Sequence, residues 1–209
     1  MMASAGFRSH EFAAESHEAT DQVVPVPYCD ALRPLQGWLI HVMLVFEDVL
    51  DCQKLRDSLE ALIEMDGWRK LGARLRRSSK GQLNYHIPSR FTKDRPALRH
   101  PAVVAHSEDF QSLSRAPGSP TTLNDYLKND YPQLGLHIVT FTDATIVTLQ
   151  WPHTLFDLMG QKAVLDAWTL ILQGRRDEVP PTYAADCDPL FFNDTATTEN
   201  RLLKSYNIN

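Results

Sequence analysis

The sequence predicts an α/β domain, a mixed sheet covered by helices, and three observations carry that expectation. Two β-branched, apolar runs, residues 136–141 and 145–151, flank a Thr142-Asp143-Ala144 turn and read as a hairpin. Two other runs repeat apolar residues at three- and four-residue spacing, as the inner faces of helices do. One holds Leu55, Leu59, Leu62 and Ile63; the other holds Leu155, Met159, Val164, Ala167, Trp168 and Ile171. Strand-like and helix-like segments therefore alternate along the chain, the pattern of a sheet with helices laid on it.

Composition bounds the reading. A hydrophobic fraction of 43% over 209 residues suits one or two globular units with a real core. The net charge of -5 lacks the basic bias of a nucleic-acid binder. Cys29, Cys52 and Cys187 are widely spaced, odd in number and without a Cys-x-x-Cys pair. That pattern suits a reducing compartment and offers no zinc site. No run approaches the roughly eighteen apolar residues of a membrane helix, so a cytoplasmic protein is expected, without a membrane partner.

Taken in order, residues 1–22 are polar and small, carry Glu11, Glu15, Glu18 and Asp21, and read as a disordered tail rather than a secretory signal. Val24-Pro25-Val26-Pro27 is extended, because each proline disfavours helical backbone before it. Residues 38–46 are almost continuously apolar, as in a strand buried on both faces, with His41 structural. Asp48 or Asp51 can cap the first long helix, which runs to about Met65 and stops at Gly67-Trp68. A second hairpin joins 71–75 to 82–88 through a basic turn. Arg69, Lys70, Arg74, Arg76, Arg77 and Lys80 make the densest cationic cluster, expected to lie in solvent. Residues 89–120 are irregular, and His100 and His106 there receive no role. Thr121 or Thr122 can cap a short helix through Leu123, Tyr126 and Leu127, which Tyr131-Pro132 ends. The long hairpin follows, then a helix from about 157 to 173 closed by Gly174, and residues 175–190 form a linker without periodicity.

The candidate site lies where that hairpin meets that helix, in Gln150-Trp-Pro-His153-Thr-Leu-Phe-Asp157-Leu-Met-Gly160. A histidine at a strand end is held rigidly yet can face a cleft. Histidine titrates near neutrality, which suits a general base. Asp157 lies about one helical turn on, where it can influence the ring or lock the turn by pairing with a cation. Gly160 would let the backbone pass close to a neighbour or a ligand without a Cβ between them. The competing reading is a core histidine at a strand end, with Asp157 as the cap of the following helix. A shared metal ion is a third reading, and no further ligand stands at a recognisable spacing.

His153-Thr-Leu-Phe-Asp157-Leu-Met-Gly160 resembles the HxxxD motif of the BAHD-type, coenzyme-A-dependent acyltransferases, especially the trichothecene acetyltransferase-like members of fungi. The order of elements before it, strand, helix, hairpin and the strand delivering the histidine, resembles that family too. The resemblance implies one half, the N-terminal domain, of a chloramphenicol-acetyltransferase-like fold. It implies acyl-CoA as a co-substrate and no tightly bound cofactor, and His153 as the base that deprotonates a hydroxyl or amine of a small, secondary-metabolite acceptor. Asp157 is then structural, paired with an arginine. Leu158 stands where the family commonly has glycine, and the family's Asp-Phe-Gly-Trp-Gly run is missing, as in a chain holding only the first half. Condensation domains of peptide synthetases share the fold but carry a second histidine where Pro152 stands.

On this reading residues 23–174 are the acyltransferase N-terminal domain and 175–190 lead to a missing second domain, the full-length protein being a monomer. Residues 191–209 leave the family pattern. The run 191–199 resembles translated sequencing-adapter DNA, so the natural chain is expected to continue past Leu190. The alternative from another class is a truncated, catalytically silent half-domain exposing the apolar face its partner would cover. A serine hydrolase is disfavoured, since the chain has no Gly-x-Ser-x-Gly elbow.

Overall fold

In a computed structural model, which describes residues 20–100, 104–105 and 113–182, the long hairpin becomes the middle of a four-stranded sheet. The strands in chain order are β1 (Gln22–Pro25), β2 (Leu39–Phe46), β3 (Arg74–Arg77), β4 (Leu83–Ile87), β5 (Val104–Ala105), β6 (Gly135–Thr140) and β7 (Thr145–Pro152). The helices are α1 (Arg33–Gln36), α2 (Cys52–Ile63), α3 (Leu123–Lys128) and α4 (Leu158–Leu172). The larger sheet runs β2-β7-β6-β5 and the smaller one β1-β4-β3. All pairs are antiparallel except β5–β6, which is parallel and makes the larger sheet mixed.

Alternation along the strands decides which face the helices cover. In β2 and β7 the register pairs Ile40 with Trp151, Val42 with Leu149 and Leu44 with Val147, and Leu149 and Val147 meet Leu136 and Ile138 of β6. These side chains meet Leu55, Leu59, Leu62 and Ile63 of α2 and Val164, Ala167 and Trp168 of α4 in one core. Asp51 caps α2 by accepting from Lys54 N–H at 2.9 Å, and Trp168 Nε1 donates to Ser58 Oγ at 2.8 Å, locking the helices together. A second core forms around the small sheet from Val24, Val26, Ala73, Leu75, Leu83, Tyr85, Ile87 and Tyr126.

Several expectations change. Residues 38–46 are not a strand buried on both faces: among the described residues β2 lies at the edge of the sheet, paired only with β7, and Met43 and Val45 are 38% and 63% exposed. Sheet order, which local sequence does not encode, puts them there. Met159 is exposed rather than part of the apolar stripe, because Leu155 precedes the helix and sets no helical register with it. Gln22, the end of the expected tail, already pairs with Ile87. Strand β5 falls in the stretch read as irregular. The cationic cluster is only partly solvated: Arg77 and Lys80 are exposed, but Arg74 is fully buried. The reason is Asp130, which accepts from Arg74, Arg76 and Arg95 together. His106 and residues 183–209 lie outside the described residues.

An open, apolar edge strand is a template for pairing with another copy. The chain is therefore expected to self-associate at micromolar concentration, and Met43→Lys with Val45→Lys to shift it towards monomer in light scattering. A monomeric parent protein would contradict this.

Candidate active site

The site begins where β7 outruns its neighbours. Pairing with β6 ends at Gln150 and pairing with β2 at Pro152, so His153 is held by one last backbone bond, its N–H to the Trp38 carbonyl at 2.9 Å. The Trp38 and His153 rings meet edge to face, centroids 5.7 Å apart at 79°. Trp38 is 56% exposed, whereas His153 is half-buried with its Nδ1 enclosed. Nε2 is not among the enclosed side-chain atoms. With the hydrogen on Nδ1, Nε2 keeps the lone pair a base needs.

The turn after His153 is fixed from several sides. Thr154 and Leu155 are fully buried, and Leu155 N–H donates to the Pro152 carbonyl at 2.8 Å. Trp151 Nε1 donates to the Phe156 carbonyl at 3.1 Å while the two rings pack 4.6 Å apart. The Tyr85 hydroxyl, from the other sheet, donates to the Thr154 carbonyl. Behind the strand, Gln150 Oε1 accepts from Arg99 Nη2 at 2.6 Å and Gln150 Nε2 donates to the Pro120 carbonyl at 2.6 Å. Arg99 lies across Gly135, where a Cβ would fall 2.3 Å from Nη2.

Asp157 is the N-cap of α4: its Oδ1 accepts from Met159 N–H at 2.9 Å and Gly160 N–H at 3.0 Å. Two otherwise orphaned helix donors are satisfied this way. The carboxylate is exposed, and among the described residues no arginine pairs with it. At Gly160 an added Cβ would lie 2.4 Å from the Phe156 Cβ. Asp157→Ala is expected to cost roughly 1 kcal/mol in urea unfolding, the ordinary value of a cap. An unchanged unfolding midpoint would contradict the capping role.

His153, Asp157 and Gly160 thus share one turn, with the histidine on its strand side and the cap on its helix side. Sequence reasoning missed Trp38, Tyr85 and Arg99, which bear on the motif from distant positions, Arg99 through Gln150. Only Tyr85 left a signal: the alternation Leu83, Tyr85, Ile87 marks it as inward-facing, and a buried tyrosine needs a partner for its hydroxyl. Among the described residues no group of three or more His, Cys, Asp or Glu is arranged to hold a metal, and no helix is long and apolar enough to cross a membrane.

No family model matches the chain. It is 40% identical over 216 residues to transcriptional regulator calD of Penicillium decumbens, covering 91% of this chain and 44% of that one. It is 38% identical over 195 residues to acetyltransferase adrJ of Penicillium roqueforti, covering 82% and 39%. With O-acetyltransferase PaAT-2 of Phomopsis amygdali the identity is 34%, covering 81% and 40%. The chain therefore spans about two fifths of the length of these relatives. Among solved structures it is similar to F. sporotrichioides TRI101 complexed with coenzyme A and T-2, with a TM-score of 0.53 and 14% identity over 73% of this chain and 41% of that one. It is similar also to the first condensation domain of the CDA synthetase, with a TM-score of 0.52 and 15% identity over 79% and 42%. At such identities the likeness is one of fold.

Proposed function

We propose, from the premise that the chain belongs to the trichothecene acetyltransferase-like, coenzyme-A-dependent acyltransferases, that it carries the general base of an acyl transfer to a small acceptor. His153 Nε2 takes the proton of an acceptor hydroxyl or amine as that atom attacks the thioester carbon of acyl-CoA. The carbon–sulfur bond then breaks, and the departing thiolate recovers the proton. The observation that carries the reading is the position of His153: fixed through its backbone at the end of β7, against Trp38, with one ring nitrogen enclosed and the other open. Asp157 is assigned the structural role of holding the turn, and Gly160 that of letting Phe156 pass. Acyl-CoA and acceptor are the partners, and no tightly bound cofactor is invoked.

A positioned base contributes roughly 10²–10⁴ in rate, and juxtaposing donor with acceptor can contribute more. The second contribution requires walls on both sides of His153, so activity is assigned to the intact protein. Trp38, Leu158 and Met159 stand exposed around the motif, apolar surface ready to line such a space. The regulator name carried by two relatives finds less support here, given a net charge of -5.

The test is release of free thiol from a panel of acyl-CoA donors by the intact protein, with alcohol and amine acceptors. Release that requires an acceptor is expected. Release without one would mean a thioesterase, and none from folded, intact protein would contradict the acyl-transfer reading.

A further inference from the structure

Tyr85 sits in β4, the central strand of the small sheet, paired with Val24 of β1 on one side and Leu75 of β3 on the other. Its backbone is therefore held by strands on both edges. Its side chain is fully buried, and Lys70 Nζ lies 5.4 Å from the ring centroid. The hydroxyl crosses to the other sheet and donates to the carbonyl of Thr154, the residue directly after His153. This bond reaches the motif at a point where the larger sheet gives little support: β6 no longer pairs beyond Gln150, β2 no longer pairs beyond Pro152, and His153 is met by the carbonyl of Trp38, the residue before β2. Burial raises the tyrosine well above its ordinary pKa, so the hydroxyl remains a donor through the working pH range.

We propose that Tyr85 is a positioning residue for the base: its hydroxyl fixes the 153–155 turn, and through it the imidazole of His153, against the rigid small sheet. This rests on the reading of His153 as the base. Tyr85 touches neither substrate nor imidazole and acts only through the Thr154 carbonyl. A displacement of about 1 Å at a reacting group can cost on the order of 10²-fold in rate, so small freedom in this turn matters.

The experiment compares Tyr85→Phe with Tyr126→Phe in the intact protein. Each substitution removes one oxygen and keeps the ring. Tyr126 belongs to the same buried cluster, and its hydroxyl has no partner among the described residues. Two readouts are taken at a temperature where circular dichroism shows both variants folded: kcat and KM for acyl transfer, and hydrogen exchange at the His153 and Leu155 amides. In Tyr85→Phe, kcat is expected to fall about tenfold, the order of one lost hydrogen bond, with KM for acyl-CoA within about twofold. Exchange of the two amides is expected to quicken about tenfold, confined to this turn. Tyr126→Phe should leave both readouts as in the parent. Unchanged kcat and exchange in Tyr85→Phe would overturn the proposal, as would uniformly faster exchange with kcat intact, the mark of a merely structural tyrosine. A parent protein without acyl transfer would overturn the reading of His153 instead, while the exchange comparison still decides whether Tyr85 fixes the turn.

Discussion

Asp130→Ala is expected to cost about 3 kcal/mol of stability, lowering the melting temperature by roughly 6–12 °C for a domain of this size. The reason is the company the carboxylate keeps. Asp130 Oδ2 accepts from Arg74 Nε at 3.3 Å and from Arg95 Nε at 3.0 Å, while Oδ1 accepts from Arg76 Nη2. Arg95 also grips Asp21 through both terminal nitrogens, at 2.8 and 2.7 Å. One aspartate thereby ties the end of α3, strand β3, the segment after β4 and the residue preceding β1. Arg74 makes the loss severe. Its side chain is fully buried, and burial lowers its pKa to about 10 against the pull of Asp130. Removing the carboxylate strands that charge, an error that costs about 3–5 kcal/mol in a fully buried pair. The low end applies because Asp130 is 38% exposed and partly screened.

Two controls sharpen the expectation. Adding Arg74→Met to Asp130→Ala should recover part of the loss, since a buried ion pair replaced by apolar groups can be nearly neutral. The pH dependence has a defined sign. Burial alone would raise the Asp130 carboxyl, but the charges of Arg74, Arg95 and Arg76 hold it below the ordinary carboxylate range. A depressed carboxyl contributes stability that is present above its unfolded pKa and is lost as pH falls through its folded one. The parent should therefore lose more stability than Asp130→Ala as the solution is taken below about pH 4. Equal acid sensitivity, or a loss under about 0.5 kcal/mol at pH 7, a typical surface effect, would remove Asp130 from the centre of the network.

His153→Ala is expected to have the opposite profile, a large loss of rate with little loss of stability. His153 is half-buried, and among the described residues its hydrogen bond is made through its backbone, to the Trp38 carbonyl, which alanine retains. Its side chain contributes one edge-to-face contact with Trp38, a contact of roughly 0.5–1.5 kcal/mol. The rate should fall by about 10²–10⁴, the contribution of a positioned base. Asp157→Ala gives the complementary profile, because its carboxylate works on the end of α4.

These contrasts follow the division between what local sequence carries and what it does not. The β6–β7 hairpin and helices α2 and α4 were legible because their periodicity is local, and so was the motif between them. Asp157 as a cap was legible as one of two structural roles, since Asp before an apolar helical run is itself the signal. The placement of β2 at an edge was not, for it depends on which strand lies on its far side. The burial of Arg74 was equally hidden: the bond to Asp130 spans 56 positions, and only the fold brings the two together. Tyr85 reaches Thr154 across 69 positions. Two-residue β5 is too short for alternation to mark it.

The most direct measurement of the central claim is transfer of a labelled acetyl group from acetyl-CoA to an alcohol acceptor by the intact protein, with His153→Ala beside the parent. A loss of about 10²–10⁴ in kcat, with the variant unfolding at the parent's temperature within a few degrees, is the predicted result. Transfer by folded His153→Ala at the parent's rate would contradict it, and the base would have to be sought elsewhere.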